Sequence, residues 1–270
     1  MSSSPRSSNL PRFFGRLSPL ASTLLLAVLI SAHAPAQTLT VLHSFTARAD
    51  GAFPYGGLVM DRAGNLYGTT STGGRYKNGT IYKIDTSGKM TILHQFKRNE
   101  ACLSFAPLLV DDNGNLYGTA YSCGIPVAEG IGTVFELKAT GRLVVLHAFG
   151  SATGDGALPY AGLVRDDAGN LYGTTSVGGG IPFAAGTTFK IDRATGAETV
   201  LHNFANVPDG AYPTCRLLID SAGDLYGTTG LGGVGGDSIQ ARFQWDGDHP
   251  LQLRRVLRAG RAGTGEWSGA

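Results

Sequence analysis

Charge, cysteine and long apolar runs are all scarce in this 270-residue chain. Charged residues make up 16%, against roughly 25% in ordinary soluble domains. Coiled coils and solvated helical bundles, which draw heavily on such residues, are therefore disfavoured. There are three cysteines, and neither a nucleophile elbow nor a zinc-binding helix motif occurs. No nucleophile–base–acid set stands out, and no cofactor or metal is implied. Glycine and proline together supply 52 residues, below the roughly 25–30% that marks low-complexity chains, and they follow no collagen period. Hydrophobic residues reach 42%, which in a chain this long suffices for a buried core. What remains is an all-β protein punctuated by 40 glycines.

The one long apolar run, Leu20–Ile30, follows Arg6, Arg12 and Arg16 and precedes the small-residue sites Ala32-His33-Ala34 and Ala34-Pro35-Ala36. This is the layout of a secretory signal over residues 1–36, with cleavage after Ala36. The rival reading is an uncleaved anchor, for which the run falls short of the roughly 20 residues of a spanning helix. Removing three arginines takes the formal charge from +2 to −1. That leaves no basic patch for nucleic acid, and no membrane span in the mature chain. The expected location is outside the cytoplasm: extracellular, cell-surface or periplasmic.

The rest of the chain repeats. Gly-Asn/Asp-Leu-Tyr-Gly-Thr recurs around Tyr67, Tyr117, Tyr172 and Tyr226, spaced 50, 55 and 54 residues apart. Leu-His-x-Phe recurs at Leu42–Phe45, Leu93–Phe96, Leu146–Phe149 and Leu201–Phe204. A Gly-Thr-x-aromatic segment recurs at Gly79, Gly132 and Gly186. Each period resolves into four strands, in the first about 56–61, 65–71, 79–85 and 89–96. Asp-x-x-Gly turns at Asp61, Asp111, Asp166 and Asp220 join the first two: the aspartate accepts backbone N–H groups and the glycine takes the positive-φ corner. Four antiparallel strands per period is the blade of a β-propeller. The expectation is three complete blades and a partial fourth within residues 37–238, then a divergent or truncated tail over 239–270. Thr38–Phe45 is expected as an outer strand able to close the ring on the fourth blade, with Ile239–Asp246 as a further strand.

At these motifs the chain resembles the GloVer-type tandem-repeat proteins of bacteria, over about residues 38–233. The resemblance implies an exported protein built of β-propeller-like repeats, and it carries over no catalytic residue. Many such proteins end in an anchoring or sorting segment, which is not recognisable here.

Other motifs have repeat-level explanations. Gly230-Leu-Gly-Gly-Val-Gly235 matches a dinucleotide fingerprint, but it occupies a loop position shared with Gly73-Gly74 and Gly178-Gly179, where a helix is not expected. Asp111 to Asn115 reads as a turn rather than a calcium loop. Asp50-Gly51, Asp155-Gly156 and Asp209-Gly210 read as turns, with a shared metal or glycan contact as the alternative. His43, His94, His147 and His202 lie on outer strands, where a bond to a neighbouring blade is expected rather than a common metal. The four repeat tyrosines are expected to pack between sheets and to spend their hydroxyls on backbone. Cys102 precedes the first strand of the second blade and Cys123 follows its second strand, so antiparallel pairing brings them together as a disulfide. That leaves Cys215 over.

The least repetitive residues fall on the long-loop face: Arg75, Tyr76, Lys77, Glu129 and Phe183. They are the candidate binding residues. The sequence points to an exported binding or scaffold module for a glycan or a surface protein. Two alternatives stay open: a propeller enzyme of lactonase or lyase type, and a truncated or frameshifted remnant of a larger repeat protein.

Overall fold

The computed structural model describes residues 38–124, 131–152, 154–180, 185–205, 210–231, 239–244 and 252–258. Leu42–Ala270 form one compact unit. The described part of the other unit, residues 38–41, is exposed and has no regular structure.

Four antiparallel sheets follow one another along the chain, each with its strands in sequence order. The first blade is Val59–Met60, Leu66–Thr70, Thr80–Ile84 and Met90–Gln95. The second is Leu109–Val110, Leu116–Ala120, Thr133–Leu137 and Leu143–Ala148. The third is Val164–Arg165, Leu171–Thr175, Thr187–Ile191 and Glu198–Asn203. The fourth is Leu218–Ile219, Leu225–Thr228, Ile239–Gln244 and Gln252–Arg258. This is a propeller-type architecture, and among the described residues there is no helix.

Strand positions follow the repeat closely, with two differences. First strands are only two residues long, because the residues before them enter a kinked loop. The fourth blade, for which the repeat supplies two strands, gains two more from the tail. Its register is divergent. In the first three blades the glycine of Leu-Tyr-Gly-Thr sits opposite an aromatic residue: Gly68 opposite Tyr82, Gly118 opposite Phe135 and Gly173 opposite Phe189. In the fourth, Gly227 faces Ala241.

The glycine–aromatic pairing organises the core. A Cβ on Gly118 would meet the Phe135 ring at 2.5 Å and Leu108 at 2.8 Å. The ring thus lies across the backbone of the second strand. From its other side it receives Phe96 of the preceding blade, at 5.2 Å and edge-on. Phe149 meets Phe189 likewise at 5.1 Å. A β-bulge at Leu93, Leu146 and Leu201 turns each Leu-His-x-Phe segment out of simple alternation. Its phenylalanine (Phe96, Phe149 or Phe204) is then buried in a core shared with the following blade.

Thr38–Phe45 differs from expectation. It is not a strand, so it does not close the ring by strand pairing. Phe45 instead packs edge-on against Tyr82 at 5.1 Å, as Phe96 does against Phe135.

The hairpin turns bind the tyrosines, by side chain rather than by backbone. Asp61 Oδ1 accepts the Ala63 and Asn65 N–H groups, while Oδ2 accepts Asn65 Nδ2 and the Tyr67 hydroxyl at 2.9 Å. Tyr117, Tyr172 and Tyr226 donate likewise to Asp111, Asp166 and Asp220. Asp111 spends its carboxylate on Asn113, Asn115 and Tyr117, in accord with a turn. The Asn65 side-chain bond, with the backbone bonds and Tyr67, outweighs desolvation and holds Asp61 at about 2. Desolvation and the bond to Asp61 push Tyr67 up to about 12.

Replacing Gly118 by alanine overpacks this core and is expected to cost about 1–3 kcal/mol in urea unfolding. Gly141→Ala, where a Cβ meets nothing within 4 Å, pays only the strain of its positive φ, about 1–2 kcal/mol. In acid, the depressed Asp61 carboxyl contributes stability that is complete above its ordinary pKa of 3.8 and lost as pH falls toward about 2. The urea midpoint should drop over that window, and Asn65→Ala should flatten the drop.

Candidate binding face

The segment before each first strand has one conformation in all four blades. It runs Ala52-Phe53-Pro54-Tyr55, Cys102-Leu103-Ser104-Phe105, Ala157-Leu158-Pro159-Tyr160 and Ala211-Tyr212-Pro213-Thr214. The first residue pairs with the segment after the second strand: Ala52 with Thr72, Cys102 with Ser122, Ala157 with Val177 and Ala211 with Leu231. The second residue is left-handed although it is not glycine, with φ between +54° and +57° at Phe53, Leu103, Leu158 and Tyr212. Such a conformation costs about 1–3 kcal/mol and persists only where the surroundings over-determine it. Here the carbonyl of each strained residue is held by a neighbouring N–H: Ser71 to Phe53, Tyr121 to Leu103, Ser176 to Leu158 and Gly230 to Tyr212.

The kink carries the following aromatic side chains out of the sheets and into a row. Phe53 stacks on Tyr55, with centroids 5.9 Å apart and planes 8° from parallel. Tyr55 meets Phe105 at 5.8 Å, and Phe105 meets Tyr160 at 5.3 Å and Tyr121 at 5.7 Å. The row crosses three consecutive blades on the long-loop face. Phe53 and Tyr55 are 58% and 66% exposed, and Tyr160 is 45% exposed. Rings this open gain little from the core. Residues 52–57, 102–107 and 157–162 contain no charged residue, so this part of the face is apolar with phenol hydroxyls.

Cys102 and Cys123 are joined by a disulfide, with Cα atoms 5.3 Å apart. It links the strand-preceding segment of the second blade to the loop after Tyr121, in the two stretches of chain that carry Phe105 and Tyr121. Cys215 is an exposed free thiol.

Of the residues proposed from sequence, Arg75, Tyr76 and Lys77 lie in the first blade's loop between its second and third strands. The Arg75 guanidinium lies over the Tyr76 ring at 5.7 Å, the Arg75 N–H donates to Gln95, and Lys77 is left-handed. Among the described residues, no ring contact joins Tyr76 to the aromatic row. Glu129 and Phe183 lie outside the described residues, as do Gly232–Gly235 of the fingerprint-like loop, Asp209 and the signal segment 1–36.

His43, His94 and His147 are bonded differently from expectation. Each acceptor is a carboxylate in the connection that follows the histidine's own segment. Nε2 of His43 lies 3.3 Å from Asp50, that of His94 2.8 Å from Glu100, and that of His147 3.0 Å from Asp155. Asp50 and Asp155, read from sequence as turn residues, are thus histidine partners. The aromatic row itself was not singled out from sequence. Its signal was the Pro-Tyr, Ser-Phe, Pro-Tyr and Pro-Thr series ahead of each first strand, which resembles ordinary loop punctuation.

The fold and this face define a propeller-type tandem-repeat protein with an apolar platform on its long-loop side. The chain belongs to the Gloeobacter/Verrucomicrobia repeat family, which it matches over residues 27–240. No curated protein sequence matches it. Among solved structures it is similar to the gluconolactonase XC5397 from Xanthomonas campestris, at 22% identity over 76% of this chain and 62% of that one (TM-score 0.46). It is similar to a putative 6-phosphogluconolactonase from Bacteroides uniformis, at 16% identity over 77% and 57% (TM-score 0.46). TolB from Acinetobacter baumannii aligns at 14% identity over 72% and 40% (TM-score 0.45). The chain spans less than two thirds of each of these proteins.

Replacing Cys102 and Cys123 together by serine is expected to lower stability by about 3 kcal/mol, the entropy of closing a loop of this length. Chemical denaturation of the oxidised protein and the double variant measures the difference.

Proposed function

We propose that this protein is an exported binding module that holds a neutral glycan along the aromatic row. The observation that carries the reading is the row itself: Phe53, Tyr55, Phe105, Tyr121 and Tyr160 in continuous contact on one face of the repeats. Sugar rings present apolar C–H faces and hydroxyl edges. Exposed phenol rings answer both, since the ring stacks on the face while the hydroxyl bonds the edge. The absence of charge in the three segments favours a neutral sugar over an acidic one. The left-handed residues fix the backbone beneath the rings, so little ordering entropy is lost on binding. Export through residues 1–36 places such a module where polysaccharide is found.

Affinity electrophoresis and calorimetry against neutral polysaccharides test the reading. Tyr55→Ala and Tyr160→Ala are each expected to weaken binding about tenfold, the equivalent of ~1.4 kcal/mol. Arg142→Ala, in the short hairpin between the third and fourth strands of the second blade, should leave affinity unchanged. Binding that survives the loss of both tyrosines would overturn the proposal. So would a ligand that proves to be a surface protein contacting another face.

A further inference from the structure

One histidine–carboxylate pair differs from the others. Asp50 has its oxygens occupied by the Thr46 N–H, the Thr46 hydroxyl and the Arg48 N–H as well as by His43. Glu100 accepts the Lys97 N–H alongside His94, and the Lys97 ammonium lies 3.6 Å away. Asp155 has no such support. Its side chain is 1% exposed, its Oδ2 faces His147, and its buried Oδ1 has no hydrogen-bond partner.

The group facing this pair is a second carboxylate. Glu198 opens the outer strand of the third blade, paired with Ile191. The corresponding positions in the first two blades, paired with Ile84 and Leu137, are Met90 and Leu143. An acid therefore stands where the repeat elsewhere places an apolar side chain. Its Oε1 is also buried without a partner. One ligand-capable atom from each of His147, Asp155 and Glu198 falls within a 4.8 Å cluster. Two carboxylates in one cluster, each with a buried oxygen that has no hydrogen-bond partner, are costly unless a proton or a cation is shared between them. Burial, with the charge of Asp155 adding to it, pushes the Glu198 carboxyl up, which is the same conflict seen from the proton's side.

We propose that His147, Asp155 and Glu198 form a divalent transition-metal site of the zinc type. The ligand set, one imidazole nitrogen and two carboxylate oxygens, suits Zn²⁺ rather than Ca²⁺, which takes oxygen ligands. Donors bound tetrahedrally at about 2.0–2.2 Å stand roughly 3.3–3.6 Å apart, so a cluster spanning up to 4.8 Å closes on an ion by about an ångström of side-chain movement. The ion ties the outer strand of the second blade and its following connection to the outer strand of the third. It is therefore a fastening between blades.

Calorimetric titration of ZnCl₂ into untagged, chelator-treated protein tests this, with thermal unfolding measured in parallel. One ion per chain is expected, with a rise in Tm on loading. Glu198→Leu, which returns the position to the residue type of Leu143, should keep the fold and lose that ion, with affinity down at least about tenfold. His147→Gln and the nearly isosteric Glu198→Gln should do the same if the leucine variant misfolds. Absence of saturable Zn²⁺ binding in the unaltered protein would overturn the proposal. So would binding that is equal in folded Glu198 and His147 variants.

Discussion

The insertion of one phenylalanine from each outer strand into the next blade is the contact on which the rest depends. A four-stranded sheet of this size cannot bury its own faces. Phe96 and Phe149 solve this by filling the space between consecutive sheets, each edge-on to a ring that is itself seated over a glycine. The requirement reaches back into the sequence. The glycine of Leu-Tyr-Gly-Thr is there because a Cβ would occupy the ring's place. The Leu-His-x-Phe bulge is there because ordinary alternation would not deliver both the histidine to its loop and the phenylalanine to the neighbouring sheet.

Once sheets are fixed in succession, their connections on the long-loop face come into register. The four left-handed residues at Phe53, Leu103, Leu158 and Tyr212 are the result of that regularity. Identical hydrogen bonds from the second strand's end hold them, so the strain is repeated rather than accidental. The aromatic row follows from the kink and not from the core. Its rings are exposed because the backbone beneath them has turned away from the sheet.

The repeat was legible because its constraints are local. Asp61-x-x-Gly64 specifies a turn, and the repeated Gly-Asn/Asp-Leu-Tyr-Gly-Thr motif marks the strand that follows it. The disulfide partners Cys102 and Cys123 flank paired strands. What could not be read depends on neighbours distant in sequence. His147 and Glu198 come together only because the second and third blades are neighbours, and nothing local to Glu198 announces a histidine. The Tyr67 hydroxyl was expected on backbone because a period-two pattern shows which face a residue takes, and not that its tip reaches six residues back to Asp61. Phe45 was read as part of a strand because it carries the same motif as Phe96. Its ring does what the motif requires although its backbone is not in a sheet. The last two strands lack the motifs altogether, and their register, with Ala241 opposite Gly227, differs accordingly.

The offset between sheet and interface has a genetic consequence. Because the residue that completes each blade's packing is encoded at the end of the preceding period, the unit that can be duplicated is not the blade. It is a length of about fifty residues cut at any phase. Unequal recombination between copies would insert or remove one such length and still set each outer-strand phenylalanine against the core of a following blade. A family assembled this way can change its number of blades without redesigning a single interface.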